Sequence, residues 1–281
     1  MYRHAYFDLW LHDDGELLPF VQSEILERVT LHEWPLSCVQ RLTLDDGRKL
    51  IYKVQCAPTV EPDFYTRARS GLLVPAQTIF RSSRQACMLL DFVDAPLLRD
   101  LNLPDRQVVR IGRQVMEQIA GIEGELAYFL DLSSEDKWSE LVGAMLGDLG
   151  ELIDRDKFKR VDKLAVHRIE QRAYSQSVLA AIRTRPGLVH GDLNGANLFV
   201  LPVGGYRVID WQHSKLGPPE LDLAILLDSM GHNPLHYVSE GIVPLMCLLR
   251  IHWFAQCATR WFPAGVADYD RQIARLAAWD G

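Results

Sequence analysis

The chain has 281 residues, with 30 Lys and Arg against 37 Asp and Glu for a formal net charge of -7, and an isoelectric point near 5.7. That balance excludes a broad nucleic-acid surface, which needs clustered cations, but leaves room for an anion held in a local pocket. A hydrophobic fraction of 48% with 24% charged residues is that of a globular chain able to bury one large core or two small ones.

The opening "MYRHAYFDLWLHDDG" meets charge too early for a secretion signal. Further on, "SCVQRLTL" and "KLIYKVQ" alternate and are β-prone, with an Asp-Gly turn signal in "DDGR" between them. "EPDFYTRARSGLL" reads as a short helix ended near Gly71, followed by strands "AQTIF" and "ACMLLDFV" parted by "RSSRQ". From about Pro104 to Arg185 apolar residues recur at helical spacing, as at Val108, Ile111, Val115 and Ile119. A second hairpin, "NLFVL" and "YRVID" around "PVGG", leads into more helix. The most apolar late stretch, "GIVPLMCLLRIHWFAQCA", is interrupted by Pro244, Arg250 and His252 and reads as a buried helix rather than a membrane span. The order is that of a small β-rich lobe, a short connection near Asp91–Pro96 and a larger helical lobe.

Five cysteines, at 38, 56, 87, 247 and 257, make an odd number with no C-x-x-C pair. Reduced thiols and a cytoplasmic location are expected.

The chemistry concentrates in "LVHGDLNGANLFVLPVGGYRVIDWQ", residues 188–212. An antiparallel hairpin sets the start of its first strand beside the end of its second, so Asn197 and Asp210 converge at the open end. A carboxylate with an amide oxygen is a donor set that Mg²⁺ takes while keeping waters and binding substrate phosphates. Asp192, five residues before Asn197 in a loop containing Gly191 and Gly195, can fold back to the same end.

"HGDLNGAN" followed by "VIDWQ" and "GPPELDLA" resembles the aminoglycoside phosphotransferase family, the small-molecule branch of the protein-kinase-like fold. The resemblance covers roughly residues 35 to 230. It implies an α+β, bilobal fold with a small antiparallel-β nucleotide-binding lobe over residues 1–95 and a larger, mainly helical lobe over 96–281. It also implies Asp192 as catalytic carboxylate, Asn197 and Asp210 as Mg²⁺ ligands, His190 as a support of the loop rather than a base, and Asp222 as a brace of the loop backbone.

Phosphoryl transfer on this fold also needs a strand-borne cation for the nucleotide phosphates, held by an acid. Lys53 in "KLIYKVQ" is the candidate cation. "EPDFY" resembles the family's E-x-x-F-Y pattern and selects Glu61 as its partner. Pro62 pushes the residue before it away from helical geometry, so Glu61 is expected to cap the helix, with Asp63 as the fallback. The phosphate-covering segment "EWPLSCVQRL" holds no glycine, which leaves Ser37 and the amides around Cys38. The adenine of ATP is expected against the backbone near Asp91 and Val93.

Only seven steps separate Asp210 from the "GPPE" turn. A protein kinase spends a much longer activation segment there, so the expected acceptor is a hydroxyl on a small molecule such as an aminoglycoside-like antibiotic, amino alcohol or sugar. Eleven acidic residues between Glu117 and Asp156 read as the solvated face of amphipathic helices, with a wall for a polycationic substrate as the alternative. The expected function is ATP- and Mg²⁺-dependent phosphorylation of a small molecule, with no nucleic-acid or membrane partner. A catalytically inactive nucleotide-binding regulator on the same fold is the alternative.

Overall fold

The alternating runs at 37–44 and 49–56 become neighbouring strands of one sheet in the computed structural model, which describes residues 1–279. In chain order the elements are β1 (Tyr2–Arg3), β2 (Trp10–Leu11), α1 (Asp14–Val21), β3 (Ile25–Trp34), β4 (Ser37–Leu44), β5 (Lys49–Cys56), α2 (Glu61–Arg67), β6 (Ala76–Arg81) and β7 (Gln85–Asp91). There follow α3 (Asp105–Ala120), β8 (Leu130–Asp131), α4 (Glu135–Asp154), α5 (Lys163–Ala173), α6 (Gln176–Ile182) and β9 (Gly187–Val189). The remainder comprises β10 (Leu198–Val200), β11 (Tyr206–Val208), β12 (Lys215–Gly217), α7 (Glu220–Ser229), α8 (Ile242–Gln256) and α9 (Val266–Ala277). The fold is α+β, as expected from the sequence.

Contacts divide the chain into two units. One holds Met1–Asn102, Gly121–Phe129 and Gly195–Ser214; the other holds Leu103–Ala120, Leu130–Asn194 and the chain from Lys215 onward. The hairpin of Asn197 and Asp210 therefore packs with the N-terminal sheet.

In the first unit five antiparallel strands run in the order β3-β4-β5-β7-β6. Successive side chains on a strand point to opposite faces. One face carries Leu42, Tyr52, Val54, Cys87 and Leu89 and is covered by Leu9, Leu11, Leu17 and Val21 from the N-terminal segment. The Tyr52 hydroxyl accepts the His12 amide there at 2.9 Å. The other face carries Ile51, Met88 and Leu90, with Val93 and Ile209 packed against them. Lys53 lies opposite Met88 in the ladder, two residues from Ile51, and so projects to that second face. The edge strand β3 slips its register between Ile25 and Glu27 and again between Thr30 and His32, leaving Leu26 and Leu31 as extra, exposed residues.

The β10–β11 hairpin pairs Leu198 with Val208. Its turn closes through the Leu201 amide on the Gly205 carbonyl at 3.1 Å. Gly204 and Gly205 take φ of 87° and 91°, a region open to glycine at no steric cost. The Val208 amide donates to the Leu72 carbonyl at 3.0 Å, which ties the hairpin to the sheet unit.

The second unit is helical around one core, built from Trp138, Met145 and Leu149 of α4, Ile169 of α5, Leu221 of α7, Leu248 and Ile251 of α8, and Ile273 of α9. The Asp270 carboxylate accepts three successive amides, of Lys159, Arg160 and Val161, at 2.9 Å each. Residues 242–261 are long and apolar enough by composition to cross a membrane, yet Leu245, Leu248, Ile251 and Ala255 lie in this core, as expected of a buried helix. A three-stranded sheet sets β12 at its centre, antiparallel to β9 and parallel to β8. Of the acidic residues between 117 and 156, Asp148 is buried, 3.3 Å from Arg260; most of the others are exposed.

Candidate active site

In the sheet unit Lys53 Nζ lies 2.5 Å from Glu61 Oε2 and 2.6 Å from Asp210 Oδ1. Burial works against the ammonium, but the two carboxylates more than reverse it and its pKa is raised. Glu61 is fully buried, and burial raises its own pKa against the pull of Lys53. Its other oxygen accepts the Trp211 amide at 3.2 Å. Glu61 opens α2 as its first residue, with Val60 at the cap position, which corrects the expectation of a capping role. Proline is tolerated in the first helical turn because the N–H it lacks has no intrahelical acceptor there. Asp63, the fallback, instead pairs with Arg81 through both oxygens, at 2.6 and 2.7 Å.

Asp210 sits at φ 69°, ψ 54°, a left-handed conformation that aspartate tolerates better than most residues. The Ile209 amide donates to the Asn197 carbonyl at 3.0 Å, so the ladder brings Asn197 beside the residue that precedes Asp210. An amide and a carboxylate at one hairpin end are hard oxygen donors, and they fit Mg²⁺. Among the described residues no group of three or more His, Cys, Asp or Glu is placed to hold a metal. Sequence reading gave Trp211 no part in this arrangement. Its ring is fully buried and stacks on Phe64 at 4.5 Å and 9°, bolting the segment after Asp210 onto α2.

The other nucleotide-side candidates occupy strand ends. Ser37 opens β4 after the two-residue turn Pro35–Leu36, and its hydroxyl accepts the Trp34 indole N–H at 2.5 Å. Asp91 closes β7, its amide committed to the Pro75 carbonyl at 3.0 Å, and Val93 packs half-buried on the second face of the sheet.

In the helical unit β9 delivers the chain to His190. The buried Asp222 carboxylate accepts the His190 amide at 2.7 Å and the Gly191 amide at 2.9 Å. Burial pushes its pKa up to about 6 against the pull of those amides and of Lys215. Gly191 takes φ 80°, which turns the chain so that its amide meets Asp222. His190 is fully buried, and its Nδ1 accepts the Asp192 amide at 3.2 Å. That ring nitrogen is thus engaged by the loop backbone. Asp192 itself is half-exposed.

Comparison with known proteins places the chain in a family and matches its fold. The model of a phosphotransferase enzyme family, APH, matches residues 63–241, more than half of the chain. No curated protein sequence matches. Among solved structures, a thermostable mutant of aminoglycoside phosphotransferase APH(4)-Ia in complex with AMP-PNP and hygromycin B is 17% identical with a TM-score of 0.62, covering 95% of this chain and 99% of that one. Spectinomycin phosphotransferase APH(9)-Ia with ADP and spectinomycin is 12% identical, TM-score 0.58, covering 95% and 98%. Macrolide 2'-phosphotransferase MphH from Brachybacterium faecium is 14% identical, TM-score 0.55, covering 96% and 99%. At these identities the likeness is one of fold.

Proposed function

Because the chain belongs to the APH phosphotransferase enzyme family, we propose that it transfers the γ-phosphoryl group of ATP to a hydroxyl of a small molecule. One observation carries the reading: a buried lysine ion-paired to Glu61 and Asp210, in a chain whose H-G-D loop is braced by Asp222. Lys53 would bind the α- and β-phosphates, with Glu61 holding it in place. Asn197 and Asp210 would hold Mg²⁺, whose charge neutralises the transferring group when bound. Asp192 would orient the acceptor hydroxyl and take its proton late, since phosphoryl transfer passes through a loose transition state. His190 and Asp222 would fix the loop from which Asp192 projects. The adenine would lie along the Asp91–Val93 backbone, with Ser37 on the phosphate side. The solved structures hold hygromycin B with AMP-PNP and spectinomycin with ADP, which supports a small-molecule acceptor here. Five free cysteines support a cytoplasmic location.

The glycine-free turn at Pro35–Leu36 favours a second reading, an inactive nucleotide-binding regulator. A coupled assay of ADP release with Mg·ATP, run over hydroxylated amines, sugars and antibiotics, separates the two. Acceptor-stimulated turnover that falls about 10³-fold in Asp192→Asn supports the enzyme. Tight ATP binding without turnover on any acceptor supports the regulator, and full activity in Asp192→Asn removes the role given to that carboxylate.

A further inference from the structure

Lys215 is a buried lysine that the roles above leave unused. It opens the central strand β12 directly opposite Val189, the residue before the H-G-D loop. Its Nζ donates to the Gly191 carbonyl at 3.1 Å. The Gly191 peptide is thereby held on both sides, its amide by Asp222 at 2.9 Å and its carbonyl by Lys215. The charges that bear on the ammonium are Asp192 on the loop and Asp222 on α7. Asp131, on the neighbouring strand β8, is engaged by Lys137 and by the Ser133 amide at 2.9 Å. On α8, His252 is held neutral, its pKa pushed down to about 4 by burial and by the cations Arg260 and Lys215.

We infer that Lys215 is a positioning residue for phosphoryl transfer, fixing the Gly191–Asp192 peptide from which the Asp192 carboxylate projects and setting a cation behind that loop. The inference rests on the phosphotransferase reading. Two effects run through Asp192. The hydrogen bond to Gly191 restrains the backbone from which the carboxylate projects, and a misplacement on the scale of 1 Å is enough to cost about 10²-fold in rate. The nearby positive charge favours the anionic, proton-accepting form of Asp192. Burial leaves Lys215 titrating at about 8, so the second effect fades above that pH. A lysine present only for packing has neither consequence.

The test compares the full-length wild type with Lys215→Met and Lys215→Arg. ADP release with Mg·ATP is followed from pH 5 to 10, with water or the best panel compound as acceptor. Lys215→Met should lower kcat about 10²-fold while leaving KM for ATP within about twofold, and should move the acid limb of kcat up by about one pH unit. Lys215→Arg should restore most of the rate and remove the alkaline limb, since arginine stays charged throughout. In the ligand-free chain, amide exchange at Gly191–Leu193 should speed up in Lys215→Met and not in Lys215→Arg. An active wild type whose Lys215→Met variant keeps its kcat and its acid limb overturns the inference. Equal losses in both variants, with exchange at Gly191–Leu193 unchanged, also overturn it. An inert wild type strikes instead at the phosphotransferase reading, and the exchange result then still decides whether Lys215 braces the loop.

Discussion

Lys53 in the sheet unit and Lys215 in the helical unit are both almost excluded from solvent, yet their ammonium groups are held in opposite ways. Lys53 has carboxylate oxygens at 2.5 and 2.6 Å, and its pKa rises despite burial. Lys215 spends a hydrogen bond on a neutral carbonyl; burial prevails over Asp192 and Asp222, and its pKa falls to about 8. Depth alone therefore does not set the charge of a buried lysine. Direct pairing makes Lys53 a fixed cation suited to phosphates at any physiological pH, while Lys215 sits within reach of titration.

The largest way to break this comparison is Lys53→Met. It strands Glu61 and Asp210 without their cation, and removing one partner of a buried pair costs about 3–5 kcal/mol. Urea unfolding should show a loss of that size, and nucleotide affinity should fall with it; an unchanged midpoint would mean that Lys53 is not paired as described. Next comes Asp222→Asn. Asp222 titrates near 6 in the folded chain against an ordinary 3.8, so between those values the folded state holds a proton that the unfolded state has released. The stability from that proton is complete below pH 3.8 and is lost as the pH rises through 6, on the order of 3 kcal/mol in all. The stability of wild type relative to Asp222→Asn should therefore decline from pH 4 to 6 and level off above. A difference that is flat over that range would show that Asp222 titrates normally. The smallest effect is expected for Asp63→Ala, which removes an exposed pair with Arg81. Thermal melts should show a change of about 0–1 kcal/mol, and a loss as large as that of Lys53→Met would erase the distinction between Asp63 and Glu61.

What the sequence revealed follows the range of its signals. The β4 and β5 strands, the β10–β11 hairpin and the long helical stretch were legible because alternation, turn residues and helical spacing are local. The convergence of Asn197 with Asp210 followed from hairpin geometry alone. Lys215 was not legible: its importance lies in standing opposite Val189, a pairing across 25 intervening positions that "SKLG" does not announce. Trp211 was hidden for the same reason, since its partners Phe64 and Glu61 lie about 150 residues earlier. Strand β3 carries little signal in the sequence because its two register slips break the alternation of Ile25, Leu26, Val29 and Leu31. The pre-proline rule does not move Glu61 out of the helix, because at a helix start the first turn absorbs the proline.

Those two slips in β3 also set an expectation for how this chain would meet its copies at high concentration. A sheet edge recruits another strand only if it can offer an unbroken row of donors and acceptors, and each inserted residue bends and twists that row out of line. The two leucines most open to solvent on this edge, Leu26 and Leu31, are the residues pushed out of the ladder. The apolar stretch that would otherwise invite fibre growth is thus built into the interruption that blocks it, and shortening β3 by either leucine should turn a quiet boundary into a sticky one.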